Sequence, residues 1–275
     1  MRKRIAQIYK FAVTEDLENR IRAWLQEEGY KFELKVAGAF HEAGFQITVS
    51  EFALDTKSGE PREIDVLATR STFLTPANIF DLSFVIECRY SGKYPWIVFK
   101  STSNEHIGVF ADFFYRFATE LGHIALLEMS SLDDAQNSRL FSLPSKMGHG
   151  VTAAFQKGND VAYNAMTKVC DAAAALIGQA EAGAGRCAIL FPVLMLQGRI
   201  FECEITDEAD IQLAEVKRST VLWRRPTTKS SIVPVDLVTE GEVVRFTEEK
   251  FTQCEALKPL IENGLPKTSG HAVLA

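Results

Sequence analysis

The chain has no C-x-x-C pair, and its five cysteines stand apart at 88, 170, 187, 203 and 254. An odd count at scattered spacing argues against a disulfide framework and suits reduced thiols, so the expected compartment is the cytoplasm. The five histidines are scattered too, with no H-x-x-H or H-E-x-x-H, which removes the common zinc motifs. There is no G-x-x-x-x-G-K-[ST] loop and no G-x-S-x-G elbow, so P-loop and nucleophile-elbow chemistry are not expected. No run of about 18 apolar residues occurs, so no membrane-spanning helix is expected. The opening MRKRIAQIYKFAV is basic, but Lys10 interrupts its apolar run and no small-residue cleavage site follows, so no signal peptide is expected. Positive charge is not in excess. Thirty Lys and Arg face 36 Asp and Glu, and a formal charge of -6 implies no general polyanion-binding surface. Such a balance still permits a local basic groove. Internal repeats and low-complexity tracts are also missing.

What is present is apolar patterning. Apolar residues make up 47% of 275, enough for one large core. Thr14 is placed to cap a first helix in which Leu17, Ile21, Trp24 and Leu25 recur at helical spacing, with Gly29 as its stop. FQITVS from Phe45 alternates as a half-buried strand does, DTKSGE reads as a turn and REIDVLATR as its partner strand. STFLTPANIFD reads as a loop, LSFVIECRY as a third strand and PWIVF as its extension. A helix is predicted over 105–121 and a short strand at IALLEM, followed by loop through the GHG at 148–150. A long helix is predicted from Val151 to Ile177. CAILFPVLML and RIFECEI read as a hairpin about Gln197-Gly198, VLWRR and IVPVDLV as strands, and 247–262 as a last helix. Trp24, Trp96 and the phenylalanines near 110–117 are expected in the core.

Two carboxylates stand out against this pattern. Asp65 lies inside REIDVLATR and Glu87 inside FVIECRY, where strand interiors disfavour acids. Strand side chains alternate, so Asp65 shares a face with Glu63, Leu67 and Thr69, and Glu87 with Val85 and Arg89. If the strands pair, the two carboxylates converge, and convergent carboxylates are what a hard divalent cation such as magnesium takes. A single carboxylate at either place would read as a solvated strand-end charge.

The order Asp, then Glu-x-Arg on the next strand, with its EIDV, IECRYS and KYPWIVF surroundings, resembles the PD-(D/E)xK nuclease superfamily of restriction-endonuclease-like folds, on the side of type IV restriction enzymes and Holliday-junction resolvases. The resemblance covers roughly residues 14–100. In it the motif lysine is replaced by Arg89 and the motif proline by Ile64. It implies an α/β fold with a restriction-endonuclease-like core, a mixed central sheet flanked by helices, and C-terminal elaboration. It implies one domain over 1–265, with 266–275 as a tail. It also implies a magnesium- or manganese-dependent DNA endonuclease. Asp65, Glu87 and the Cys88 carbonyl would hold the metal, Glu18 on the first helix would complete the cluster, and Arg89 would act on water or phosphate. Lys93 would contact substrate or stand in for the missing lysine. Arginine does not deprotonate at neutral pH, so Arg89 is not a general base. The partner expected is DNA, no membrane partner is expected, and a homodimer is the expected assembly. The alternative is a nucleic-acid-binding or protein-interaction module that keeps the fold without the chemistry.

Overall fold

The computed structural model describes residues 16–25, 29–54, 59–75, 78–100, 117–136, 138–158, 160–182, 186–205, 210–225 and 231–264. A helical segment, α1, covers 16–25. Helix α2 (Tyr30–Ala43) leads into a meander of β1 (Gln46–Leu54), β2 (Pro61–Thr75) and β3 (Asn78–Lys100). After β4 (Phe117–Ala118) come helices α3 (Glu120–Ser130) and α4 (Asp133–Gln136) and strand β5 (Gly148–Ala153). The long helix α5 (Val161–Ala182) precedes β6 (Cys187–Ile205), β7 (Ile211–Val216), β8 (Arg218–Arg225) and β9 (Ser231–Thr239), and α6 (Val243–Gly264) follows.

These strands form one mixed sheet. β1, β2 and β3 pair antiparallel, and β6 runs parallel to β3 along most of its length. The far end of β3 pairs with β5, β5 with β8, β8 with β9 and β9 with β6, so part of the sheet closes into a ring. Its closing link is a single residue pair, Gly148 with Val221. A Cβ on Gly148 would lie 2.4 Å from Val98 Cγ1, so the strands meet there only without a side chain.

Each face of the sheet carries its own core. On one, α2 and α6 bury Phe40, Phe246 and Leu257 with Phe84 and Phe191. On the other, α5 lays Ala162, Ala165, Ala172 and Ala173 against Trp96, Val98 and Leu194. Small side chains bring a helix close to the strands beneath it, and this decides the geometry of the site.

The α/β class and the mixed sheet are as expected, and several element assignments change. STFLT and NIFD are not a loop but the ends of β2 and β3. IALLEM lies in α3: a short apolar run fits helix or strand equally, and the buried Thr119 side chain settles it by accepting from the Gly122 amide as N-cap. GHG opens β5, and the long helix starts at Val161 rather than Val151. CAILFPVLMLQGRIFECEI is one unbroken strand and not a hairpin. Gly198 is extended there, and a Cβ on it would lie 2.8 Å from Ser91 O of β3, so the glycine serves a close approach and not a turn. Trp96 is buried as expected, but Trp24 is half exposed, as are Leu17 and Ile21 on the same stripe of α1. Helix α2 was not foreseen. The predicted helix over 105–121 falls mostly outside the described residues, and the 266–275 tail lies wholly outside them.

Candidate active site

The β2–β3 ladder runs down from the hairpin and stops at Val66 opposite Ile86. The next two residues are Asp65 and Glu87. Directly opposed residues of an antiparallel pair point to the same face, so both carboxylates leave the sheet together at the point where the strands part. Parting frees the Cys88 amide, which donates to Asp65 Oδ2 at 2.7 Å. On the outer strand, Ser50 interrupts the β1–β2 ladder between the Val49–Val66 and Glu51–Ile64 pairs. Its φ of 50° is a left-handed conformation uncommon for a non-glycine residue, beside the same carboxylate.

Above them sits Lys168 of α5. Ala165 and Ala172, three before and four after it, are buried against the sheet, so helical spacing turns Lys168 toward the sheet as well. Its Nζ is 3.1 Å from Asp65 Oδ1 and 2.9 Å from Glu87 Oε2. One ammonium thus bridges both carboxylates. Arg89 ion-pairs with Glu87 Oε1, an oxygen that has no aligned hydrogen bond, and its Nη1 donates a long bond of 3.3 Å to the Cys88 carbonyl. Glu33, in the first turn of α2, is on that helix's inward side one turn before Val36 and Ala37.

The electrostatics match this crowding. Burial, then the charge of Asp65, pushes the Glu87 carboxyl up to about 7, although Arg89 and Lys168 pull it down. Burial lowers Lys168, but the charges of Glu87 and Asp65 and its bonds to both outweigh that, and the ammonium is held above its ordinary value. Glu33 is raised by burial and then by Asp65 and Glu63, which ties it to the same cluster. Burial raises the Cys88 thiol well above its ordinary value, so its sulfur is a neutral bystander.

Asp65, Glu87 and Arg89 therefore come together as expected from alternation, and the Cys88 carbonyl is met by Arg89. Glu18 is elsewhere: it is exposed on α1 in an i,i+4 pair with Arg22 at 2.6 Å, and the helix carboxylate that feels the charge of Asp65 is Glu33. Lys93 lies exposed in the bulge of β3 between Ser91 and Trp96. Lys168 and Glu33 were missed. The one signal for Lys168 is a lone lysine flanking the alanine face of a long helix.

Among the described residues, no three His, Cys, Asp or Glu side chains gather closely enough to hold a metal ion. Two carboxylates and a carbonyl nevertheless make a hard oxygen set that suits magnesium. Arg89 and Lys168 each place a cationic group on one oxygen of Glu87, and Lys168 also on Asp65, so the carboxylates already gather positive charge where a metal cation would bind. The donor set fits a divalent ion provided that the ammonium moves. No protein-family model matches the chain, and no curated protein and no solved structure matches it either.

Proposed function

We propose that this protein is a metal-dependent phosphodiesterase that cleaves DNA internally, built on a restriction-endonuclease-like core. One observation carries the reading: Asp65, Glu87 and Lys168 converge on one point at the parting end of β2 and β3. The order of α2, the antiparallel meander β1–β2–β3, α5 and β6 supports it: helix, three antiparallel strands, helix and strand is the order of such a core, here with β4, α3, α4 and β5 inserted before α5. Lys168 also supplies from a helix the amine that position 89 lacks.

Asp65, Glu87 and the Cys88 carbonyl would hold magnesium or manganese, and Glu33 is a further carboxylate within reach of the charge of Asp65. Bound there, the ion supplies a water of lowered pKa and offsets charge on the phosphate. The chain's own residues do the rest. Lys168 is charged at neutral pH, so it donates to a phosphate oxygen or to the attacking water and takes no proton. Arg89 offers a planar fork to the phosphate and stabilises the charge that develops there. The buried Asp65–Cys88 bond fixes the carboxylate that Lys168 holds.

A second reading has its own support. Lys168 and Arg89 already neutralise both carboxylates, the charge set expected of a nuclease fold retained for binding. Incubation of plasmid and labelled duplex, branched and single-stranded DNA with magnesium or manganese separates the two. Cleavage by the wild type that Asp65→Asn and Glu87→Gln both abolish is the expected result. Binding without cleavage under every condition would favour the second reading.

A further inference from the structure

We infer that Lys168 locks the site in the free protein, and that a phosphodiester anion opens it, so metal and substrate load together. The inference rests on the proposed metal-dependent activity and adds an order of events to it. Its basis is geometric. The ammonium stands within hydrogen-bond distance of one oxygen of each carboxylate and so occupies the two side chains that would hold a metal ion. Asp65 and Glu87 are 7% and 2% exposed, so water screens these contacts poorly.

A divalent ion that enters beside Lys168 and Arg89 leaves the buried cluster with a net positive charge, which desolvated surroundings penalise. Expelling Lys168 removes the clash but strips its ammonium of both partners. A phosphodiester resolves the conflict. Its anionic oxygens accept the hydrogen bonds that the carboxylates gave up, from Lys168 and from the Arg89 fork, and its charge offsets the incoming ion. Helix α5 need not move. Lysine carries four flexible methylenes, and 29% of this side chain is already exposed, so a rotamer change suffices. By linkage, the anion must tighten the metal by the same factor as the metal tightens the anion.

Calorimetric titration of manganese chloride into the free protein tests this, with and without dimethyl phosphate as a sequence-independent phosphodiester. In the absence of the anion, Lys168→Met is expected to bind manganese at least about tenfold more tightly than the wild type, which corresponds to about 1.4 kcal/mol. Dimethyl phosphate should tighten manganese in the wild type and lose that effect in the variant. Circular dichroism of Lys168→Met checks its fold, and the anion dependence of the wild type stands as a test that needs no variant. Equal manganese affinity in folded Lys168→Met and wild type, or a wild type indifferent to the anion, would overturn the lock while leaving the metal site intact. If manganese binds neither protein with or without anion, the metal-dependent reading itself is wrong.

Discussion

Glu87 carries the most consequential single equilibrium in this molecule. Its carboxyl is raised from 4.5 to about 7, by burial first and by Asp65 second. The folded protein therefore holds this proton more tightly than the unfolded chain does. The stability so gained is complete below about pH 4.5 and is lost as pH rises through about 7. A metal needs the ionised form, so the proton and the ion compete for the same oxygens. Manganese affinity should thus rise by up to about tenfold per pH unit below 7 and flatten above it. Isothermal titrations from about pH 6 to 8 check this, and a flat profile would mean that Glu87 is ionised throughout. At this scale half of the site was legible. Alternation along two short strands is a local rule, and it was enough to put Asp65 and Glu87 on one face. Lys168 arrives from a distant helix, and its sequence neighbourhood speaks only of an apolar stripe. The sequence points to Glu18 alone because nothing separates a second helix from the first beyond Gly29, behind which the apolar positions of α2 follow directly.

Among the elements, β6 and α3 show what local reading leaves undecided. Thr119 is where they meet. Its buried Oγ1 accepts from the Gly122 amide at 3.1 Å, capping α3, and from the Ala188 amide of β6 at 3.0 Å. Its own amide donates to the Ala188 carbonyl at 3.0 Å. Thr119→Ala strands two buried donors at once, a loss of about 2 kcal/mol. Urea melts of the wild type and the variant measure that difference, and a change within error would show that water replaces the hydroxyl. The cap could not be weighed in advance, because half of its value comes from a strand that lies far along the chain. Gln197-Gly198 misled in the same way. A Gly within an apolar run signals either a turn or a close approach. Only the position of Ser91 on the neighbouring strand distinguishes them.

Across the whole molecule, the meander and the long helix were readable, and the way β6 runs between its neighbours was not. Parallel pairing joins β3 and β6 across more than a third of the chain, and no local pattern encodes that partnership. The pairing makes β3 an interior strand. β2 covers one side of its first half, β6 runs along the other, and β5 takes over beside its last five residues. The ring closed at Gly148 then ties β5 back to β6 through β8 and β9. Among the described residues β1, by contrast, pairs with β2 alone and leaves Val49, Phe52 and Leu54 exposed along its length. Amide deuteration should read this out directly. Backbone protons of β3 outside its Ser91–Trp96 bulge, and of the first half of β6, should exchange only through global opening, at the slowest rates in the protein, while β1 exchanges through local fraying. Rapid exchange across β3 would mean that the ring opens in solution. If it stays shut, the strand that carries Glu87 is the last part of the molecule to let deuterium in, and the carboxylate stays aimed whether or not anything is bound.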